Sequence, residues 1–135
     1  MRLKRFVLWL NAAVWFAFGL GYALAPDFFA SLVGVGISRG DSYRIMADVG
    51  VMMVGIGVWY IYSAIDDSRM RLGLISAFLI CLGMLVGRLV GVAVGGSANT
   101  ITIVYLALET LDSVLLVLAL RIKDGSTQME SPRLI

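Results

Sequence analysis

Residues 72–94 read LGLISAFLICLGMLVGRLVGVAV, an apolar stretch interrupted by a single charged side chain, Arg88. A helix that crosses the roughly 30 Å hydrocarbon core of a bilayer needs about 20 such residues. Three further stretches have the same character, and the predicted membrane spans are about 6–24, 45–65, 72–94 and 101–120. Because these runs are too long and too continuously apolar for barrel strands, the sequence predicts an all-α, four-helix transmembrane bundle.

The composition of the chain also indicates a membrane protein. Its 135 residues are 60% hydrophobic and 15% charged, whereas soluble domains are about 45–50% apolar and about 25% charged. The net charge of +2 is too balanced to indicate nucleic-acid binding. The chain has no His, and its one Cys, Cys81, lies in an apolar run. We therefore expect no metal site, no cofactor and an inert thiol.

The distribution of basic residues predicts the orientation of the bundle. Eight basic residues are expected on the side of the membrane that holds both termini: Arg2, Lys4, Arg5, Arg69, Arg71, Arg121, Lys123 and Arg133. The opposite side carries only Arg39 and Arg44. Basic residues accumulate on the cytoplasmic side, so we expect an inner-membrane protein with both termini in the cytoplasm. The apolar part of the first span is longer than a signal peptide needs, which favours a retained span.

The connections between spans predict the topology. The links at 66–71 and 95–100 are short, so spans two, three and four are expected to be consecutive antiparallel neighbours. The first link is longer, and Pro26 and Asp27 are typical of a first helical turn. We expect a short interfacial helix there, within a single membrane domain of residues 1–123 followed by a cytoplasmic tail, 124–135.

Four glycines stand four residues apart on span three, namely Gly83, Gly87, Gly91 and Gly95. Such a stripe of small residues lets a second helix approach closely. We expect this stripe to pack inside the bundle, where the glycines of span two, Gly50, Gly55 and Gly57, can receive it. The alternative is a seam between two copies of the chain, which would make the protein a homo-oligomer.

Charged residues at membrane depth are the candidates for function. At 1.5 Å per residue, Arg88 lies roughly 9 Å below the outer end of its span and Glu109 roughly 12 Å below the outer end of the next. We therefore expect their charged ends to meet, with Asp48 or Tyr105 beside them. Asn11 is expected only to bridge helices. The candidates for ligand binding or proton handling are Arg44, Asp48, Arg88, Tyr105, Glu109 and Asp112.

Two interpretations of these charges stay open. Arg88 and Glu109 could form a purely structural ion pair that fixes the packing of spans three and four. The excess of carboxylates over deep basic residues instead favours a pocket, because charges inside a membrane face a partner, water or a functional site. No residue is assigned a catalytic role.

The chain resembles a family of small bacterial four-span membrane proteins known only as a domain of unknown function. The resemblance covers about residues 6–120. It rests on Tyr43-Arg44-Ile45-Met46, Arg71-Leu72-Gly73-Leu74, Gly87-Arg88-Leu89 and Glu109. A more distant similarity to DoxX-like four-helix membrane proteins implies a fold and an accessory role, not a reaction.

Three classes of function fit these observations. The favoured one is a non-enzymatic module that binds a lipid or small amphiphile or serves as an accessory subunit of a membrane complex. The second is a membrane-embedded acid/base enzyme acting on a lipid-like substrate, with a carboxylate as proton donor. The third is a small proton-coupled carrier that works as an oligomer. A polar path through the bundle would favour the carrier.

Overall fold

A computed structural model describes residues 1–32, 40–95 and 100–122, and in these ranges the chain forms five α-helices and no strand. The helices are α1 (Arg2–Leu24), α2 (Pro26–Leu32), α3 (Asp41–Ala64), α4 (Asp67–Gly95) and α5 (Thr100–Arg121). The all-α prediction and the short helix between the first two spans are confirmed. Residues 33–39, 96–99 and 123–135, the last of which contain the expected tail, lie outside the described residues.

The four long helices are long and apolar enough to cross a membrane. They contain between 22 and 29 residues, and at 1.5 Å per residue even the shortest exceeds the roughly 30 Å hydrocarbon core. Each helix begins earlier than its predicted span, by as many as five residues in α4. The reason is that a helix continues through polar residues wherever its backbone hydrogen bonds continue, whereas hydropathy detects only the apolar part. The protein is therefore a multi-pass membrane protein.

The two ends of the bundle differ, and they are called here the terminal end and the α2 end. The terminal end holds the start of α1, the α3–α4 turn and the end of α5. The α2 end holds α2, the start of α3, the end of α4 and the start of α5. At the terminal end, Arg5 on α1 forms an ion pair of 2.8 Å with Asp67 on α4. This contact ties the first helix to the α3–α4 turn.

Asp66 terminates the α3–α4 turn and caps α4. Its carboxylate accepts hydrogen bonds from the backbone N–H of Ser68 at 2.9 Å and from the hydroxyl of Ser68 at 2.7 Å. These two hydrogen bonds, with a smaller contribution from the charge of Arg69, lower the pKa of Asp66. The side chain thus satisfies a backbone donor that the first turn of a helix leaves free.

Helices α1 and α3 make the closest contact in the bundle. A Cβ atom at Gly19 of α1 would lie 2.8 Å from the backbone nitrogen of Val54 and 2.9 Å from the carbonyl oxygen of Gly50, both on α3. At Gly57 of α3, a Cβ atom would lie 2.8 Å from the ring of Phe16. Glycine is therefore required where the two helices touch, as close packing between membrane helices demands.

The hydrophobic core fills the terminal half of the bundle. All four long helices contribute, with buried residues at Val7, Leu8, Ala12 and Trp15, at Tyr60 and Ala64, at Met70, Leu74, Ala77 and Cys81, and at Leu116 and Ala119. In α1 and α4 these residues lie between the terminal end and about the middle of the helix, and in α3 and α5 they lie within the last turns at that end. Among the described residues, packing is thus concentrated toward the terminal end, and the α2 end is less filled.

The glycine stripe of α4 does not pack inside the bundle, so that expectation is wrong. Gly83, Gly87, Gly91 and Gly95 are exposed, and a Cβ atom at any of them would meet nothing within 4 Å among the described residues. The glycines of α3 that were expected to receive the stripe do something else. Gly50 and Gly57 receive α1, and Gly55 faces open space. Small residues show that a close approach is tolerated, but not which neighbour makes it. The seam between two copies stays a prediction.

Candidate functional site

A cavity of about 630 Å³ lies between α1, α4 and α5, beyond the core toward the α2 end. It exists because α1 packs on α3 and α5 packs on α4, while α1 and α5 approach each other at few points. The lining consists of Leu10, Asn11, Val14, Trp15, Phe18 and Tyr22 of α1, Met53 of α3, Cys81, Met84 and Arg88 of α4, and Tyr105, Leu108, Glu109, Leu111, Asp112 and Leu115 of α5.

The large apolar residues of the cavity lining that are exposed all lie on α1 and α5, so we infer that the mouth of the cavity opens between these two helices. Its apolar lining includes Leu10 and Val14 on α1 and Leu108 and Leu111 on α5, and these four side chains are 40–58% exposed. All four belong to the apolar stretches that span the membrane. The mouth therefore faces the position of lipid chains.

The back of the cavity holds an ion pair between adjacent antiparallel helices. Nε of Arg88 donates a hydrogen bond of 2.6 Å to Oε1 of Glu109. The Glu109 side chain is only 7% exposed, whereas that of Arg88 is 33% exposed. The prediction that these two charged ends meet is confirmed. The two partners differ in burial, because the Glu109 side chain is enclosed and the Arg88 side chain extends toward the surface.

The second carboxylate oxygen of Glu109 is unpaired. Oε2 is fully buried and has no hydrogen-bond partner among the residues that the structure describes. A buried polar atom without a partner typically costs about 1–3 kcal/mol. Glu109 lines the cavity, so this unpaired oxygen belongs to the polar part of the cavity wall.

Tyr105 completes the surroundings of Arg88. The guanidinium carbon of Arg88 lies 4.5 Å from the centre of the Tyr105 ring, a cation–π distance. The ring of Phe18 on α1 contacts Tyr105 edge-on, with 6.3 Å between the ring centres. The expectation that Tyr105 lies beside the ion pair is thus confirmed, and α1 holds the aromatic ring in place.

A second polar group lies deeper, toward the core. Nδ2 of Asn11 donates hydrogen bonds to Oδ1 of Asp112 at 3.0 Å and to the carbonyl oxygen of Val7 at 3.1 Å. The expected bridging role of Asn11 is confirmed. The thiol of Cys81 lies 3.3 Å from the carbonyl oxygen of Glu109 and donates to it. The cavity therefore has a polar back wall that continues from Arg88 to Asp112.

Comparison with known families agrees with this architecture. A family model described as a domain of unknown function, DUF4345, matches residues 3–120. The chain belongs to this family. No curated protein and no solved structure matches it. The similarity to DoxX-like proteins and the bacterial origin accordingly stay predictions.

Two of the candidate residues of this DUF4345 chain lie away from the cavity. Arg44 and Asp48 are exposed on α3, and the only described α3 residue in the lining is Met53. At the α2 end, α3 turns its close-packing face, with Gly50, toward α1. Of the two residues expected beside the ion pair, Tyr105 lies there and Asp48 does not, and α1 is the third helix of the site.

Sequence reasoning missed several residues of the DUF4345 cavity. Trp15, Phe18 and Tyr22 line it from α1, and Cys81 lines it from α4. The signal that could have found them is Asn11, the one strongly polar residue within the apolar part of α1. Residues one, two and three turns from Asn11 share its face, and Trp15, Phe18 and Tyr22 have these spacings. Among the described residues, no group of three or more His, Cys, Asp or Glu side chains could hold a metal ion.

Proposed function

We propose that this protein is a non-enzymatic membrane module that binds one lipid-like amphiphile in the cavity between α1, α4 and α5. One observation carries the proposal: the cavity opens to the lipid side through apolar residues and ends inside on a polar wall that contains an unpaired carboxylate oxygen. Small-molecule sites typically occupy about 300–1,000 Å³ and combine apolar walls with a few convergent polar groups. The cavity of about 630 Å³ fits that description.

The length of the cavity suits a single hydrocarbon chain. Along α1 its lining runs from Leu10 to Tyr22, which corresponds to roughly 18 Å at 1.5 Å per residue. That is about half the hydrocarbon thickness of a bilayer, or one leaflet. A chain entering from the adjacent leaflet could lie along the cavity without crossing the core of the bundle.

The packing argues against the carrier alternative. The polar residues of the cavity lining end at Asn11 and Asp112, and toward the terminal end the fully buried side chains of Leu8, Leu74 and Leu116 pack between the helices. A carrier needs a polar path to both faces of the membrane. The acid/base enzyme alternative would use the same cavity, and the experiment below separates turnover from binding.

The same proposal includes the orientation in the inner membrane, with both termini in the cytoplasm. The structure supports it by placing at the terminal end the basic residues Arg2, Lys4, Arg5, Arg69, Arg71 and Arg121. Basic residues accumulate on the cytoplasmic side of membrane proteins. In this orientation the cavity lies in the outer leaflet.

The test is to identify the lipids that stay bound to the protein when it is extracted from the membrane. The protein is extracted into copolymer nanodiscs, and its bound lipids are compared by mass spectrometry with the bulk lipid of the same membrane. We expect enrichment of an amphiphile at about one molecule per chain. Leu108→Trp should remove most of the enrichment, because a larger side chain at the mouth obstructs access.

Leu20→Trp is the matched control. Leu20 is 47% exposed, similar to the 54% of Leu108, but it lies nine residues after Asn11 and thus about 180° around α1 from it. This variant should retain the enrichment. Bound lipid that matches the bulk in the wild type would overturn the proposal. A reaction product that disappears only in Leu108→Trp would favour the enzyme instead.

A further inference from the structure

The unpaired oxygen of Glu109 limits the chemistry of the ligand. An ionised carboxylate only accepts hydrogen bonds. Oε1 already accepts one from Arg88, and Oε2 is enclosed beside a cavity that Glu109 lines, with no described residue donating to it. A molecule that satisfies this atom must therefore present a donor, which excludes ethers, esters and plain hydrocarbons as the matching head group.

The charges around Glu109 limit the ligand further. The carboxylate is already balanced by Arg88 at 2.6 Å. An anionic head group next to Oε2 would be repelled by the carboxylate, and an ammonium group would place a second positive charge near the guanidinium. A charged group is also costly to bring to this depth in a membrane. A neutral hydroxyl donates a hydrogen bond without adding a charge.

We propose that the amphiphile bound in this cavity carries a neutral hydroxyl head group, which donates its hydrogen bond to Oε2 of Glu109. This inference rests on the proposed function, because it needs an amphiphile in the cavity. The hydrocarbon part lies against the apolar residues of the mouth, Leu10, Val14, Leu108 and Leu111. The hydroxyl reaches the back wall beside the ion pair.

The experiment compares three probes with the same hydrocarbon chain: oleyl alcohol, its methyl ether and oleylamine. Each is titrated into the purified, detergent-solubilised protein, and binding is measured relative to Leu108→Trp. We expect oleyl alcohol to bind about 10- to 100-fold more tightly than the ether, since a hydrogen bond to a charged group has that effect on affinity. Oleylamine should also bind more weakly than the alcohol.

Glu109→Gln should change this preference instead of merely weakening binding. Its amide oxygen can keep the hydrogen bond from Nε of Arg88, which turns the amide NH₂ toward the position of Oε2. The site then offers a donor where it had an acceptor, and an ether oxygen can accept from it. The alcohol-to-ether ratio should fall to about one or below while both probes still bind more tightly than they bind Leu108→Trp, an outcome that a simple loss of folding does not produce.

The outcomes separate the two proposals. If the alcohol and the ether bind the wild type equally well, and both better than Leu108→Trp, an amphiphile site exists but the hydroxyl inference is wrong. If oleylamine binds most tightly, the ligand is cationic and the inference is equally wrong. If no probe binds the wild type better than Leu108→Trp, the proposed function itself fails.

Discussion

Gly19→Ala tests whether the α1–α3 contact holds the bundle together. The new Cβ atom would lie 2.8 Å from the backbone nitrogen of Val54 and 2.9 Å from the carbonyl oxygen of Gly50. Both are backbone atoms of a long helix, so neither can move alone. An ordinary contact of a Cβ atom begins at about 3.4 Å, and the two helices must therefore separate by at least about half an ångström.

The size of the effect follows from that separation. A gap of about 0.5–1 Å forfeits a quarter to a half of the dispersion energy of each contacting atom pair. Overpacking of this kind costs about 1–3 kcal/mol. Alanine is a better helix former than glycine in water, but a membrane helix stays hydrogen-bonded even when the bundle comes apart, so this gain is largely absent. We expect Gly19→Ala to lower the free energy of unfolding by about 1–3 kcal/mol.

Gly87→Ala is the control, and tryptophan fluorescence during unfolding in mixed micelles is the assay. A Cβ atom at Gly87 would meet nothing within 4 Å, so the same chemical change on α4 should stay within about 0.5 kcal/mol of the wild type, as substitutions at open surface positions do. Equal stabilities of the two variants would refute the argument. They would mean that α1 and α3 do not touch at Gly19.

Three further predictions use other parts of the bundle. Gly87→Leu should leave the unfolding of the monomer unchanged. If the glycine stripe is a seam between two copies, light scattering should detect a dimer of the wild type and no dimer of this variant. Asp66→Ala should destabilise the protein at neutral pH. The pKa of Asp66 is lowered in the folded state. Its contribution to the stability of the folded protein is therefore present above the unfolded-state pKa of about 3.9 and is lost as the pH falls through the lower folded-state pKa. The difference in melting temperature between Asp66→Ala and the wild type should accordingly shrink in acid. The double variant Arg88→Met, Glu109→Leu should fold about as well as the wild type, since an apolar replacement of a buried pair is often tolerated, yet lose the preference for oleyl alcohol over its ether; retention of that preference would remove Glu109 from the site.

The ion pair was predictable from the sequence because it joins opposite charges on neighbouring helices. Short connections make α4 and α5 antiparallel neighbours, and residue counting then places Arg88 and Glu109 at nearly the same height. An unpaired charge at that depth is costly, which favours the rotation of the two helices that lets the charges meet, and the structure has them 2.6 Å apart.

The position of Asp48 was not predictable in the same way. Its depth is compatible with the site, but depth does not tell which side of the bundle a residue faces. That side is decided by the contact of Gly50 with α1, which depends on backbone atoms of two helices at once. The prediction for the glycine stripe of α4 was wrong for the same reason. A small residue permits a close neighbour, but it does not determine which helix that neighbour is.

The cavity itself is a consequence of where the large buried side chains lie. Tyr60, Leu74 and Leu116 fill the terminal half, and the described residues of the α2 half include no comparable set of large buried side chains. If the bundle were selected only for stability, an apolar pair at positions 88 and 109 would remove the ion pair together with a buried unpaired acceptor that costs about 1–3 kcal/mol. Glu109 instead lines a cavity whose exposed residues face the lipid chains. A bound donor would remove that cost, which would explain the unfilled half and the unpaired oxygen together.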